Sequence, residues 1–133
     1  VRPNPVYPKP IDTQEFTYPV LQFDHDEGNA VSSVYVYRGT EIPALTGRVV
    51  FTDMVSGRVF HAESEGLEAG KPASIQELRI VMDGNEVNMA EATGFANTYG
   101  GGKRADLRLG TDAAGELYLL TKGDGWIRKL VVR

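Results

Sequence analysis

The fold is decided by Arg48-Val49-Val50-Phe51-Thr52-Asp53, Met54-Val55-Ser56-Gly57 and Arg58-Val59-Phe60-His61-Ala62-Glu63. Two β-branched and aromatic runs flank a four-residue turn closed by glycine, the pattern of a β-hairpin. Working outward, Ser33-Val34-Tyr35-Val36-Tyr37-Arg38 precedes it as another strand, and Ile42 to Gly47 between them reads as a single helical turn closed by Gly47. Glu77-Leu78-Arg79-Ile80-Val81-Met82 follows as a fourth strand. It ends at Asp83-Gly84, a pair suited to a type I′ turn because both central residues need positive φ.

Beyond residue 85 the pattern loosens. Met89 to Phe95 reads as a short helix, and Ala96 to Lys103, with Gly100-Gly101-Gly102, as a flexible loop. Three strands then come in quick succession: Asp106 to Leu109, Glu116 to Thr121 and Trp126 to Val131, joined by Asp112-Ala113-Ala114-Gly115 and Lys122-Gly123-Asp124-Gly125. Short meandering strands with glycine turns predict an all-β, antiparallel sandwich, barrel or propeller. Gly57-Arg58-Val59-Phe60 and Gly115-Glu116-Leu117-Tyr118 echo one another 58 residues apart, which favours the propeller. Upstream, Pro3, Pro5, Pro8 and Pro10 mark residues 1–15 as a linker or strap, leaving 16–133 as the folded part.

With 14 Lys and Arg against 18 Asp and Glu, the net charge is −4, and no basic run occurs, which argues against nucleic acid as a partner. No apolar run reaches membrane-spanning length. The absence of cysteine removes disulfides, thiol catalysis and Cys-ligated metals. The chain begins at Val1, as a processed protein or an excised piece would.

In order along the chain, Tyr18-Pro19-Val20, Asp24-His25-Asp26-Glu27-Gly28, Val36-Tyr37-Arg38-Gly39, Ile42 to Gly47, Val50 to Asp53, Ser56 to Phe60, Ala105 to Arg108, Gly115 to Thr121 and Asp124-Gly125 resemble the C-terminal blades of the glucose/sorbosone dehydrogenase family. The resemblance implies a partial six-bladed β-propeller of about two blades, and a full-length protein that oxidises a sugar or related alcohol with pyrroloquinoline quinone and Ca²⁺. It also implies a periplasmic or secreted location. The catalytic histidine of that family belongs to an earlier blade, so no catalytic residue is assigned and the fragment itself is not expected to be active. Lys103 and Arg104 occupy the segment that would contribute cations to the quinone's carboxylates. Two positions depart from the pattern: the turn lysine is replaced within Met54-Val55-Ser56-Gly57, and the arginine beside Asp106 is Ala105. The alternative is a non-catalytic propeller module for binding or interaction.

The remaining constellations read as structural. Asp24 to Gly28 begins like a Ca²⁺ loop but lacks the third ligand and the twelfth-position Glu, leaving a solvated loop. His25 and His61 have no ligand spacing, and Gly100 to Arg104 lacks the P-loop pattern. Ser32, Ser33 and Ser56 read as hairpin chemistry, Tyr35 and Tyr37 as inter-blade packing, and Trp126 as a pin on the last hairpin. Two blades leave apolar faces and edges uncovered. Self-association is therefore expected, or else cover from the Pro-rich segment.

Overall fold

The computed structural model describes residues 17–98 and 101–132, so the Pro-rich strap lies outside the described residues. The chain is all-β and antiparallel, with one five-residue helix. A first sheet runs in the order β1 (Val31–Val36), β2 (Val49–Asp53), β3 (Val59–Ala62) and β4 (Gln76–Leu78). The expected fourth strand breaks after Leu78, and its second half forms a separate hairpin of β5 (Val81–Met82) and β6 (Asn85–Glu86). Asp83 and Gly84 both have positive φ there, 50° and 84°, as the turn reading required.

Helix α1 (Met89–Thr93) follows, its Asn88 side chain capping the Glu91 N–H. Part of the expected glycine loop is ordered as a small hairpin of β7 (Phe95–Ala96) and β8 (Lys103–Arg104). The second sheet comprises β9 (Leu107–Thr111), β10 (Leu117–Thr121) and β11 (Trp126–Lys129), in the order β11-β10-β9. The described residues form neither a closed barrel nor a closed ring.

Period-two alternation gives each sheet two faces. In the first, Val50 and Val59 face the second sheet and pack with Leu107, Leu109, Leu117 and Leu119. Phe51 and Phe60 face the other way, covered by Leu21, Phe23, Leu67 and Ile75. Some of the expected cover therefore comes from residues just after the strap. It is incomplete, since Val34 and Val36 on the same face of β1 remain exposed. The first strands of the two sheets adjoin: Ser32 Oγ donates to the Leu107 carbonyl at 2.7 Å, and the Leu109 N–H donates to Ser33 Oγ at 3.1 Å. These serines join the sheets rather than closing a hairpin.

The expected 58-residue echo is corrected. Gly57 closes the β2–β3 turn, whereas Gly115 closes the β9–β10 turn, so the two are not equivalent. The equivalent of Gly57 is Gly125, 68 residues on. Each donates its N–H to the carbonyl of the last residue of the preceding strand at 3.0 Å, Asp53 or Thr121, and each has φ near 74°.

Two buried carboxylates hold the ends of this arrangement. Asp53, fully buried, accepts from the backbone N–H groups of Ala30 (2.8 Å), Val55 (3.3 Å) and Ser56 (3.1 Å) and from Ser56 Oγ (2.5 Å). It fixes the β2–β3 turn to the strand entering β1. At the opposite end Glu116 accepts from Tyr37 Oη (2.5 Å), Thr40 N–H (2.8 Å) and Glu41 N–H (3.1 Å), tying the second sheet to the loop after β1. Tyr37 is buried by this contact, while Tyr35 stays exposed. The Tyr37 bond lowers the Glu116 pKa, and burial together with Glu116 raises that of Tyr37.

Candidate functional site

Backbone pairing brings the chemistry-bearing segments to one end of the two sheets, the end marked by Asp53. Met54 N–H donates to the Ala30 carbonyl (2.8 Å), Leu107 N–H to Met54 (3.2 Å) and Ala105 N–H to Val55 (3.0 Å). The loop entering β1, the β2–β3 turn, the loop entering β9 and the β10–β11 turn therefore share this end. Lys103 and Arg104 lie here, as does the turn containing Val55.

Adjacent in β8, Lys103 and Arg104 point apart. The Lys103 ammonium reaches the Glu91 carbonyl (3.0 Å) and carboxylate (3.7 Å) on α1. The Arg104 guanidinium makes two hydrogen bonds to Asp106 and lies 6.0 Å from the Phe95 ring centroid. Ala105 is fully buried, its methyl group packed where a side chain on Gly57 would collide with it. A carboxylate-rich quinone needs unshared cations aimed at one point. Here the two cations diverge, both have acid partners, and the third position is an interior methyl, so these residues do not fit that group.

The other candidates are dispersed. His25 is exposed in the acidic loop. His61 faces away from Phe60, with Nδ1 buried and unpartnered, and burial followed by Arg48 lowers its pKa. Neither is near the other. Among the described residues no group of three or more His, Asp or Glu could hold a metal ion. No described helix is long and apolar enough to cross a membrane. Ser56 serves the Asp53 turn.

An open groove of about 380 Å³ lies across the end and outer face of the second sheet. Arg108, Leu120 and Ile127 form its floor, since they stand directly opposite one another on β9, β10 and β11. Asp106, Lys122 and Trp126 form its rim. Trp126 is 65% exposed, with Arg128 5.7 Å from its ring, so it does not pin the hairpin by burial. Arg128 is itself held by Asp124 and by Thr121 Oγ1 (2.9 Å), and the Arg128 bond lowers the Asp124 pKa to about 2. The result is a flat aromatic surface beside fixed hydrogen-bonding groups of both signs. Sequence reading missed the groove because it is assembled from three strands and a turn. The one available signal was a lone tryptophan beside a charged turn.

No family model matches this chain, and no solved structure matches it.

Proposed function

We propose that the chain is a non-catalytic binding module, two adjoining blades of a β-propeller of the glucose/sorbosone dehydrogenase type, whose Trp126 groove takes a sugar or related polyol. The observation that carries the reading is the exposed Trp126 ring, flanked by the Arg128–Asp124 pair and by Asp106, Arg108 and Lys122. A sugar presents an apolar C–H face to such a ring and hydroxyls to the charged rim. Two meander sheets with adjoining first strands and equivalent turns support the propeller reading. Ligand-class support comes from the resemblance, which implies sugars.

Trp126 is the sole tryptophan, so its fluorescence reports on the groove alone. Titration with glucose, sorbitol and short oligosaccharides is expected to give a saturable change that Trp126→Phe removes and calorimetry reproduces. Absence of saturable binding by both methods defeats the reading.

A dehydrogenase role has one observation in its favour, the Ala105–Val55 hydrogen bond, which sets side by side the two segments that the resemblance links to the quinone. Saturable quinone binding lost in Lys103→Ala and Arg104→Ala, with sugar-dependent dye reduction in the full-length protein, would establish that role instead.

A further inference from the structure

We infer that the chain assembles head to tail with copies of itself, the outer face of the second sheet receiving the β1 side of the first sheet of the next copy. The inference begins from the 68-residue equivalence. It aligns Val59 with Ile127 and Thr52 with Leu120, because Gly57 and Gly125 close matching turns. Val59 and Thr52 belong to the face that the first sheet buries against the second. Their counterparts form the groove floor, where Ile127 is 65% exposed. The second sheet thus carries the counterpart of a packing face but has no third sheet to cover it among the described residues.

The complementary surface is on the same molecule. Val34 and Val36 stand exposed on the far face of β1, next to the partly covered Phe51. Phe23 stacks against Phe51 and Phe60 on that face, and the acidic run Asp24, Asp26 and Glu27 follows it directly. None of these three carboxylates has an ion-pair partner among the printed pairs of the described residues' side chains, whereas the groove carries Arg108 and Lys122.

Acidic loop and basic groove sit at the same end of their sheets, so a rotation that stacks sheet on sheet brings opposite charges together. Apolar β1 residues then meet Leu120 and Ile127. Because the two surfaces differ, the contact is heterologous and closes only as a ring. If each ring holds six sheets, as the resemblance implies, it contains three copies. The groove of one copy would then be walled by the acidic loop of the next. The assembly rests on the sheet repeat and not on sugar binding.

Light scattering coupled to size exclusion, with native mass spectrometry, tests this on the whole chain. The expected species has three times the 14.5 kDa chain mass. Ile127→Asp and Arg108→Glu, both at exposed positions, are expected to yield folded monomers by circular dichroism. Adding Asp26→Arg and Glu27→Arg to Arg108→Glu is expected to restore the trimer, since the salt-bridge polarity is then reversed across every contact. A wild-type monomer at all concentrations overturns the inference. So does an oligomer of another size, one that survives both single substitutions, or a failure of the charge reversal to rescue. Sugar binding by a monomer would leave the groove reading intact while defeating this one.

Discussion

Replacing Asp53 tests whether a single buried carboxylate holds the two sheets in their relation. Asp53→Ala removes an acceptor serving three backbone N–H groups and one hydroxyl. The Ser56 hydroxyl can rotate elsewhere and the 3.3 Å Val55 contact is weak, so the main loss is at the Ala30 and Ser56 N–H groups. Leaving a buried donor unpaired costs about 1–3 kcal/mol, which sets the expected destabilisation at about 3–5 kcal/mol. Asp53→Asn keeps an oxygen for Ala30 but turns an amide N–H₂ toward the Ser56 N–H, for an expected loss of about 1.5–3 kcal/mol.

Burial pushes the Asp53 pKa upward, but the bonds from Ser56, Ala30 and Val55 together outweigh it and the net shift is downward. The depressed native value means that this contribution is present above the unfolded pKa, near 3.9, and is lost as pH falls through the native one. Urea unfolding followed by circular dichroism measures both substitutions at pH 7. An Asp53→Asn variant within about 0.5 kcal/mol of wild type, a typical surface-substitution effect, would refute the role assigned to this carboxylate.

Gly39→Ala places a methyl group about 2.5 Å from the Glu116 carboxylate, which is held from three sides and cannot swing away freely. A loss of about 1–3 kcal/mol is expected, and a smaller additional loss in the Glu116→Ala background, as a double-mutant cycle would show. Acid unfolding should flatten in Asp124→Asn. The native pKa of about 2 lies below the unfolded value, so the Asp124–Arg128 contribution holds above pH near 3.9 and disappears as pH drops toward 2. An unchanged acid limb, monitored by Trp126 fluorescence, would contradict that assignment.

Much of the strand order was legible because glycine turns and period-two alternation are local signals. Asp83-Gly84, the turn closed by Gly47 and the short helix at Met89 all follow from such signals. The break after Leu78 was not legible. Glu77 to Met82 alternates well enough for one strand, and only tertiary packing separates Leu78 from the Val81 hairpin. The true repeat was hidden because Gly57 and Gly125 share a turn geometry while their neighbours share almost no residue types. Asp53 and Glu116 looked like ordinary turn-flanking acids, since their donors come partly from residues 23 and up to 79 positions away. Lys103 and Arg104 were found as candidates by resemblance alone. Sequence could not reveal that each already has an acid partner.

The most direct test of the binding-module account is a backbone amide chemical-shift map of the chain titrated with glucose and with a short oligosaccharide. The account predicts saturable shifts confined to Asp106–Arg108 and Leu120–Ile127, together with the Trp126 indole N–H. Shifts centred instead on Val55, Lys103 and Arg104, or none at saturating sugar, would contradict it.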